Sequence, residues 1–349
     1  MQYLLPRETV LEVAFIGNKG TRLWGAKGVF SEYDGLPASM LSMGAILNDS
    51  VSMHPQFKPY ASFPDDLSVA QALRPYPQFY GVEEQFPYNT NSNYNSLQVT
   101  ATRHLTKGLG FLAAYTWSKA LGYVDANGPG AYYATVQDYY NRRLERSVTE
   151  FNYPQDFKLT WVYETPVGKG RSFDLHWANW VLGGWQLAAI HHYVSGGPVA
   201  VGEPDLLIPS GFGFGIRPDI VGGQKLTLGG APTKVNVNTG PNTGTPYLNP
   251  AAFSRVPQDS SVPLRVGTAP RFLPNVRGPH SMSETFRMSK KFPFSKREGT
   301  FFGLGMTMTN PFNRTSRYIN TTDVTDPTFG MVYAGGGGRT IQLDARIEF

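Results

Sequence analysis

Few residues in this chain could carry chemistry. His191 and His192 are adjacent, and histidine is a common metal ligand. Successive residues of a strand point to opposite faces, so a regular strand cannot aim both imidazoles at one ion. Ser, His and Asp are all present, yet no serine is framed by the glycines of a nucleophile elbow. Gly335–Gly338 lacks the Lys-Ser/Thr of a phosphate loop and reads as a flexible connection. Asp65-Asp66 and Glu83-Glu84 are expected to be solvated loop acids rather than cation ligands. Cysteine is absent, which excludes disulfides and thiolate metal sites. The expectation is a chain with no catalytic, cofactor or metal site, and not an enzyme.

The remaining polar residues recur at every second position, which is the spacing of a strand face. In the last stretch, Ile341, Leu343, Ala345, Ile347 and Phe349 alternate with Thr340, Gln342, Asp344, Arg346 and Glu348. Alternation alone fits a soluble sheet over a core as well as a transmembrane strand between lipid and a wet lumen. The pattern recurs along the chain. Thr9, Leu11, Val13 and Phe15 share a face before Gly17-Asn18-Lys19-Gly20, which is expected to end that strand. Leu97, Val99 and Ala101 alternate with Gln98, Thr100 and Thr102, with Arg103 and His104 near the strand's end. Thr106-Lys107-Gly108 reads as a tight turn into Leu109, Phe111, Ala113, Tyr115 and Trp117. Phe157, Leu159, Trp161 and Tyr163 alternate with Lys158 and Thr160; Trp185, Leu187, Ala189 and Tyr193 follow, with His191 breaking the apolar phase. Met282–Ser289, broken by Glu284, and Thr300–Thr309 complete a set of about eight strands.

The connections decide between the two readings. Short ones near Thr106, Gly168 and Ser295 alternate with long ones over 18–92, 119–154, 195–280 and 310–338. The second of these carries Gly128-Pro129-Gly130 and two Tyr-Tyr pairs. Short turns on one side and long irregular loops on the other are the plan of an outer-membrane β-barrel. A sandwich or propeller would mix the lengths or repeat at a fixed period. Aromatic residues make up 13% of the chain and charged residues 16%. Tyr115, Trp117, Tyr163, Trp185 and Tyr193 stand near strand ends, as interface girdles do. Gln98, Thr100, Thr102, Lys158, Thr160, Gln342, Asp344 and Arg346 are expected to line a lumen and to serve passage or contact with a plug. No stretch of about 18 apolar residues is present, so no transmembrane helix is expected. The net charge of +5 comes from scattered Lys and Arg, without the stripe that nucleic-acid binding needs. MQYLLPRETVLEV has no basic segment followed by an apolar one, so it is not read as a signal peptide.

The order of these segments resembles the C-terminal part of the barrel of TonB-dependent receptors, nearest to the Oar-like group whose members carry a carboxypeptidase-regulatory-like domain. The resemblance rests on LPRETVLEVAFIGNKGTRLWG (5–25), NYNSLQVTATRHLTKGLGFLAAYTWSKAL (93–121), NYPQDFKLTWVYETPVGKG (152–170), VLGGWQLAAIHHYVSGGP (181–198), LNPAAF (248–253), TNPFNRT (309–315) and RTIQLDARIEF (339–349). It implies an all-β, antiparallel transmembrane barrel in the cell outer membrane, in contact with lipid, with long extracellular loops that bind an external substrate. Barrels of that type have about 22 strands, so about eight would be the last third. The signal peptide, regulatory domain, plug and TonB-contacting segment of that family are not found in the sequence. The expectation is a fragment that meets TonB only through N-terminal segments it lacks, starting in mid-pattern with the remnant Gln2–Leu4. The resemblance also implies that Phe349, with Ile347 and Ala345, is what the barrel-assembly machinery recognises. A structural or adhesion barrel without transport is the alternative, and a secreted β-rich enzyme a more remote one.

Overall fold

The computed structural model describes residues 1–23, 32–123, 136–168, 170–213, 215–229, 244–294 and 300–349. Its backbone is one antiparallel sheet of ten strands. Nine of them follow one another in chain order: β1 (Gln2–Leu5), β2 (Thr9–Leu23), β3 (Thr90–Thr106), β4 (Leu109–Gly122), β5 (Gln155–Glu164), β6 (Trp185–Val194), β7 (Ser281–Pro293), β8 (Phe301–Thr309) and β9 (Thr340–Glu348). The tenth is the two-residue Ser147–Val148, beside the end of β4. The sheet is open: β1 and β9 are its two edges. This is a meander, in which each strand pairs with the next because the chain simply turns back.

The turns explain part of this order. β3 and β4 are joined by Lys107 and Gly108 alone, with φ of 50° and 81°. Two positive φ values give a primed turn, whose twist matches that of the strands it joins. A side chain on Gly108 would meet the Glu164 carbonyl oxygen at 2.9 Å. β1 and β2 turn through Pro6-Arg7-Glu8.

Gln2–Leu4 belongs to a strand, paired residue for residue with Val10–Glu12. Two expectations need correction. Gly17–Gly20 does not end the next strand: β2 runs on to Leu23, because β3 supplies ladder partners from Asn95 back to Thr90. Gly335–Gly338 is not merely flexible. Gly335 N–H donates to Ser316, the Gly336 carbonyl accepts from Ser316, and a side chain on Gly337 would lie 2.9 Å from the Arg314 carbonyl. Gly128-Pro129-Gly130, Tyr132-Tyr133 and the turn through Ser295 lie outside the described residues.

The core is not under the sheet. Of the buried apolar side chains described, only Ala189 belongs to the nine strands; the others come from the long connections. One cluster joins Val199, Leu248, Phe253 and Leu273 of the 195–280 connection to Phe329 and Val332 of the 310–339 connection. A second joins Leu36, Leu41, Leu47 and Val69 of the 24–89 connection to Leu206, Phe212 and Val256. Each fully buried Leu, Val or Phe contributes about 1.5–3 kcal/mol. Segments with no regular period therefore fold together into a platform at one end of the sheet.

Candidate functional site: a two-faced sheet carrying a loop platform

The register fixes the two faces. Directly paired residues share a face, so Ile341 lies with Met308, Phe286, Ala189, Trp161 and Phe111 in one row. The next row runs Leu343, Met306, Met288, Leu187, Tyr163 and Leu109. This apolar face is bare, with Leu343 76% and Phe15 72% exposed. So extended an apolar surface does not suit water.

All five aromatics singled out from the sequence lie on that face. Tyr115, Trp117 and Tyr193 fall toward the platform end; Tyr163 and Trp185 fall toward the end with the turns. Tyr193 stacks on Phe157 with ring centres 6.2 Å apart. Ala345 and Ile347 pair with Leu304 and Phe302 on the same face, and Phe349 projects freely just past β9.

The opposite face holds all eight polar residues expected to line a lumen. Thr102, Thr160, Thr285, Thr309 and Thr340 fall in one row; Thr100 and Lys158 share a second with His192 and Ser283; Gln98 lies in line with Thr116 and Asp156. Gln342 pairs with Thr307, Asp344 with Gly305, and Arg346 with Gly303. Two charge clusters cross the strands here. Asp156 is 3.0 Å from His192 Nε2 and 3.3 Å from Lys158 Nζ. Arg287 on β7 reaches over β8 to make two bonds to Asp344 on β9, of 2.8 and 2.9 Å, with a third to Thr307. Gly305 lets them meet, since a side chain there would lie 2.5 Å from both partners.

The two histidines part as strand geometry requires. His192 turns to Asp156 on the polar face, while His191 accepts from Trp161 Nε1 at 3.1 Å and meets Tyr193 Oη at 3.1 Å on the apolar face. Among the described residues no group of three or more His, Asp or Glu could hold a metal. Asp65 is tied to Lys58 at 2.7 Å, and Glu84 accepts from Tyr33.

The platform holds the features that the sequence concealed. Buried ion pairs stitch its loops together. Arg217 grips Glu145 with two bonds of 2.9 and 3.1 Å and also donates to the carbonyls of Ala269 and Leu144, tying the 195–280 connection to the 123–154 one. Arg74 Nη2 lies 3.0 Å from Asp34 Oδ2, its Nε donating to the Asp34 carbonyl. The ion pair is close, but its N–H misses that oxygen, which has no hydrogen bond. Burial accordingly holds the Asp34 carboxyl above its ordinary range. Burial pushes the neighbouring Tyr139 hydroxyl up to about 12. Asp219 goes the other way: hydrogen bonds from Arg265 hold it below the usual carboxylate range.

Where platform and strands meet, a cavity of about 830 Å³ opens among Pro279–Glu284, Thr309–Asn310, Arg314–Arg317 and Gly336–Gly337. Glu284 sits on the apolar face but is fully buried, because Arg314 folds over it at 2.8 Å. Arg317 lies 2.8 Å from His280, and desolvation together with the cations Arg317 and Arg314 holds that imidazole below its ordinary value. The volume falls in the range of small-ligand sites, about 300–1,000 Å³. Its two guanidiniums and imidazole suit a polar ligand; among the described residues it presents no paired nucleophile and base.

A sheet with a bare apolar face, a polar opposite face and loops folded at one end is the wall of an outer-membrane β-barrel. No described helix is long and apolar enough to cross a membrane. The sequence matches the model of the outer membrane beta barrel domain family over residues 1–342, and the chain belongs to that family. It is an outer-membrane protein. Among solved structures it is similar to the outer membrane transporter YddB from Escherichia coli, at 12% identity and a TM-score of 0.42. That match covers 100% of this chain and 31% of the other, so the chain spans about a third of that transporter's length. No curated protein matches the sequence.

Proposed function

We propose that the chain forms part of the barrel of a TonB-dependent receptor of the Oar-like kind, with the loop platform as its external binding surface and the polar face as part of the wall of the uptake path. The observation that carries the reading is the platform. Four long connections share apolar clusters and buried ion pairs, so the outer end of the barrel is a fixed surface rather than loose loops. A preorganised surface binds without first ordering its loops. The cavity beside His280, Arg314 and Arg317 supplies charged groups at its junction with the barrel. The substrate is an extracellular small molecule; siderophores, carbohydrates and peptides are the classes that the family resemblance offers. Energy coupling to TonB and the plug belong to segments N-terminal to the barrel portion. In lipid both β1 and β9 need strand partners, which further strands of a larger barrel would supply. Phe349, with Ile347 and Ala345, is the mark read by the barrel-assembly machinery; Tyr115, Trp117, Tyr163, Trp185 and Tyr193 form its interface girdles. We assign the chain no enzymatic step.

The second reading is a structural or adhesion barrel, which the same rigid platform would serve without any passage. Deleting the gene in its native host and following uptake of labelled siderophores, oligosaccharides and peptides separates the two. Loss of uptake of one class, reproduced by deleting TonB, is the expected result. Unchanged uptake of every class, with loss of surface attachment, would replace transport by adhesion.

A further inference from the structure

The connection from β5 to β6 carries a short helical turn, His176–Ala178 followed by Asn179–Leu182. It lies at the turn end of the sheet, away from the platform. Its polar side bonds internally: Asp174 accepts from His176 N and from Asn179 Nδ2, and Asn179 Oδ1 accepts from Leu175 N. Its apolar side is bare. Trp177 is 87% and Trp180 73% exposed, with Val181 and Leu182 exposed beside them.

Two residues of the lipid-facing side hold this turn. Trp185 Nε1 donates to the Val181 carbonyl at 2.8 Å. Lys290, which pairs with Trp185 across β6 and β7, sends Nζ to the carbonyls of Asn179, Trp180 and Val181 at 3.3, 2.5 and 3.1 Å. The same ammonium lies 4.7 Å from the Phe292 ring centre, and Trp180 packs on Phe292 at 5.7 Å. A lysine on a lipid-facing strand position is unfavourable unless it is paired or reaches the interface. Here it meets the carbonyls of the last turn, which carry partial negative charge and of which Asn179 O also accepts from Gly183 N and Val181 O from Trp185 Nε1. Because Trp185, Lys290 and Phe292 all belong to the apolar face, the turn lies on the outer side of the wall, and its bare tryptophans continue that face at its periplasmic rim.

We propose that residues 173–182 are an interfacial anchor: Trp177 and Trp180 insert at the headgroup level of the periplasmic leaflet, and Lys290 is the clamp that holds the turn against the wall. Tryptophan favours this depth, where its ring meets hydrocarbon and its N–H meets water. The occupant of the bare side is phospholipid, because the patch is continuous with the face already in lipid.

The chain has no cysteine, so single spin labels can be placed at will. Trp177→Cys and Trp180→Cys are made separately in the full chain, with Tyr80→Cys in the platform as a water-exposed reference, and the labels are read in outer-membrane fragments. Labels at 177 and 180 are expected to be relaxed by oxygen, which partitions into lipid, and to lose the relaxation by a water-soluble nickel complex seen at 80. Strong nickel relaxation at 177 and 180 would overturn the proposal. Protection from both agents would also overturn it, by showing a protein cover instead of lipid. Adding Lys290→Met to Trp180→Cys is expected to raise label mobility and restore nickel access; an unchanged spectrum would remove Lys290 as the clamp.

Discussion

Replacing Arg217 by Met is the sharpest test of how the platform is held. Arg217 and Glu145 are both buried, and the guanidinium makes two bonds to the carboxylate and two more to backbone carbonyls. Methionine fills much of the volume but leaves the Glu145 carboxylate without its counter-ion. Breaking one partner of a buried pair costs about 3–5 kcal/mol, more than the pair contributes relative to an apolar replacement of both. At about 1.4 kcal/mol per factor of ten, local opening of the platform should become roughly two to four orders of magnitude more frequent. This pair bonds to loop residues, so the stability of the barrel strands should stay nearly the same. Limited proteolysis in native membranes reads the first quantity, since cleavage follows the open population when opening is fast. Retention of the folded band on unheated gels reads the second. Arg217→Met should be cut within the 123–154 and 195–280 connections far faster than the parent, while the barrel stays folded. Arg217→Met with Glu145→Leu should recover much of the loss. Equal cutting of Arg217→Met and parent would refute the claim that this pair couples the two loops.

Three further outcomes follow from the geometry. Gly305→Val should lower the urea midpoint more than Arg287→Gln, because it divides the Arg287–Asp344 fork and also displaces side chains on β7 and β9; equal midpoints would show that the crossing needs no glycine. Asp219 has a depressed carboxyl, so its contribution to platform stability is present above the ordinary value of 3.8 and is lost as the pH falls through its lower folded value. Arg265→Gln should flatten that acid-side loss, as read by protease sensitivity against pH, whereas Asp34, shifted upward by burial, acts in the opposite sense and is the same in both proteins. Removing Phe349 from the protein as expressed in its host should reduce the amount assembled in the outer membrane, measured by immunoblot of membrane fractions; unchanged assembly would remove its role as a recognition mark.

The strands were legible because their period survives in the residues themselves. Ile341 to Ile347, Phe157 to Trp161 and Trp185 to Leu187 alternate without a break, and the register places them as the alternation requires. The ends were harder. Gly17–Gly20 reads as a turn, yet ladder bonds to β3 hold these residues extended, which local preference cannot foresee. Glu284 and His191 looked like interruptions; each meets a partner distant in sequence, Arg314 at one Glu284 oxygen and Trp161 at His191. The platform was illegible for a related reason. Leu36, Leu41 and Leu47 have no period, since what buries them is Leu206, Phe212 and Val256 from another connection. Arg217 and Glu145 likewise carry no motif, and their meeting is a property of the folded loops alone. Lys290 fell beyond Met282–Ser289, the expected extent of its strand, and gave no signal.

The most direct test of the account is which side of the membrane each end of the sheet faces. Single cysteines replace Tyr80, 80% exposed in the platform, and Trp177, 87% exposed at the turn end, and intact cells are treated with a membrane-impermeant maleimide. Position 80 should react in intact cells, and position 177 only after the outer membrane is permeabilised. Labelling of both positions in intact cells, or of 177 alone, would contradict a barrel wall that carries its loop platform on the cell surface.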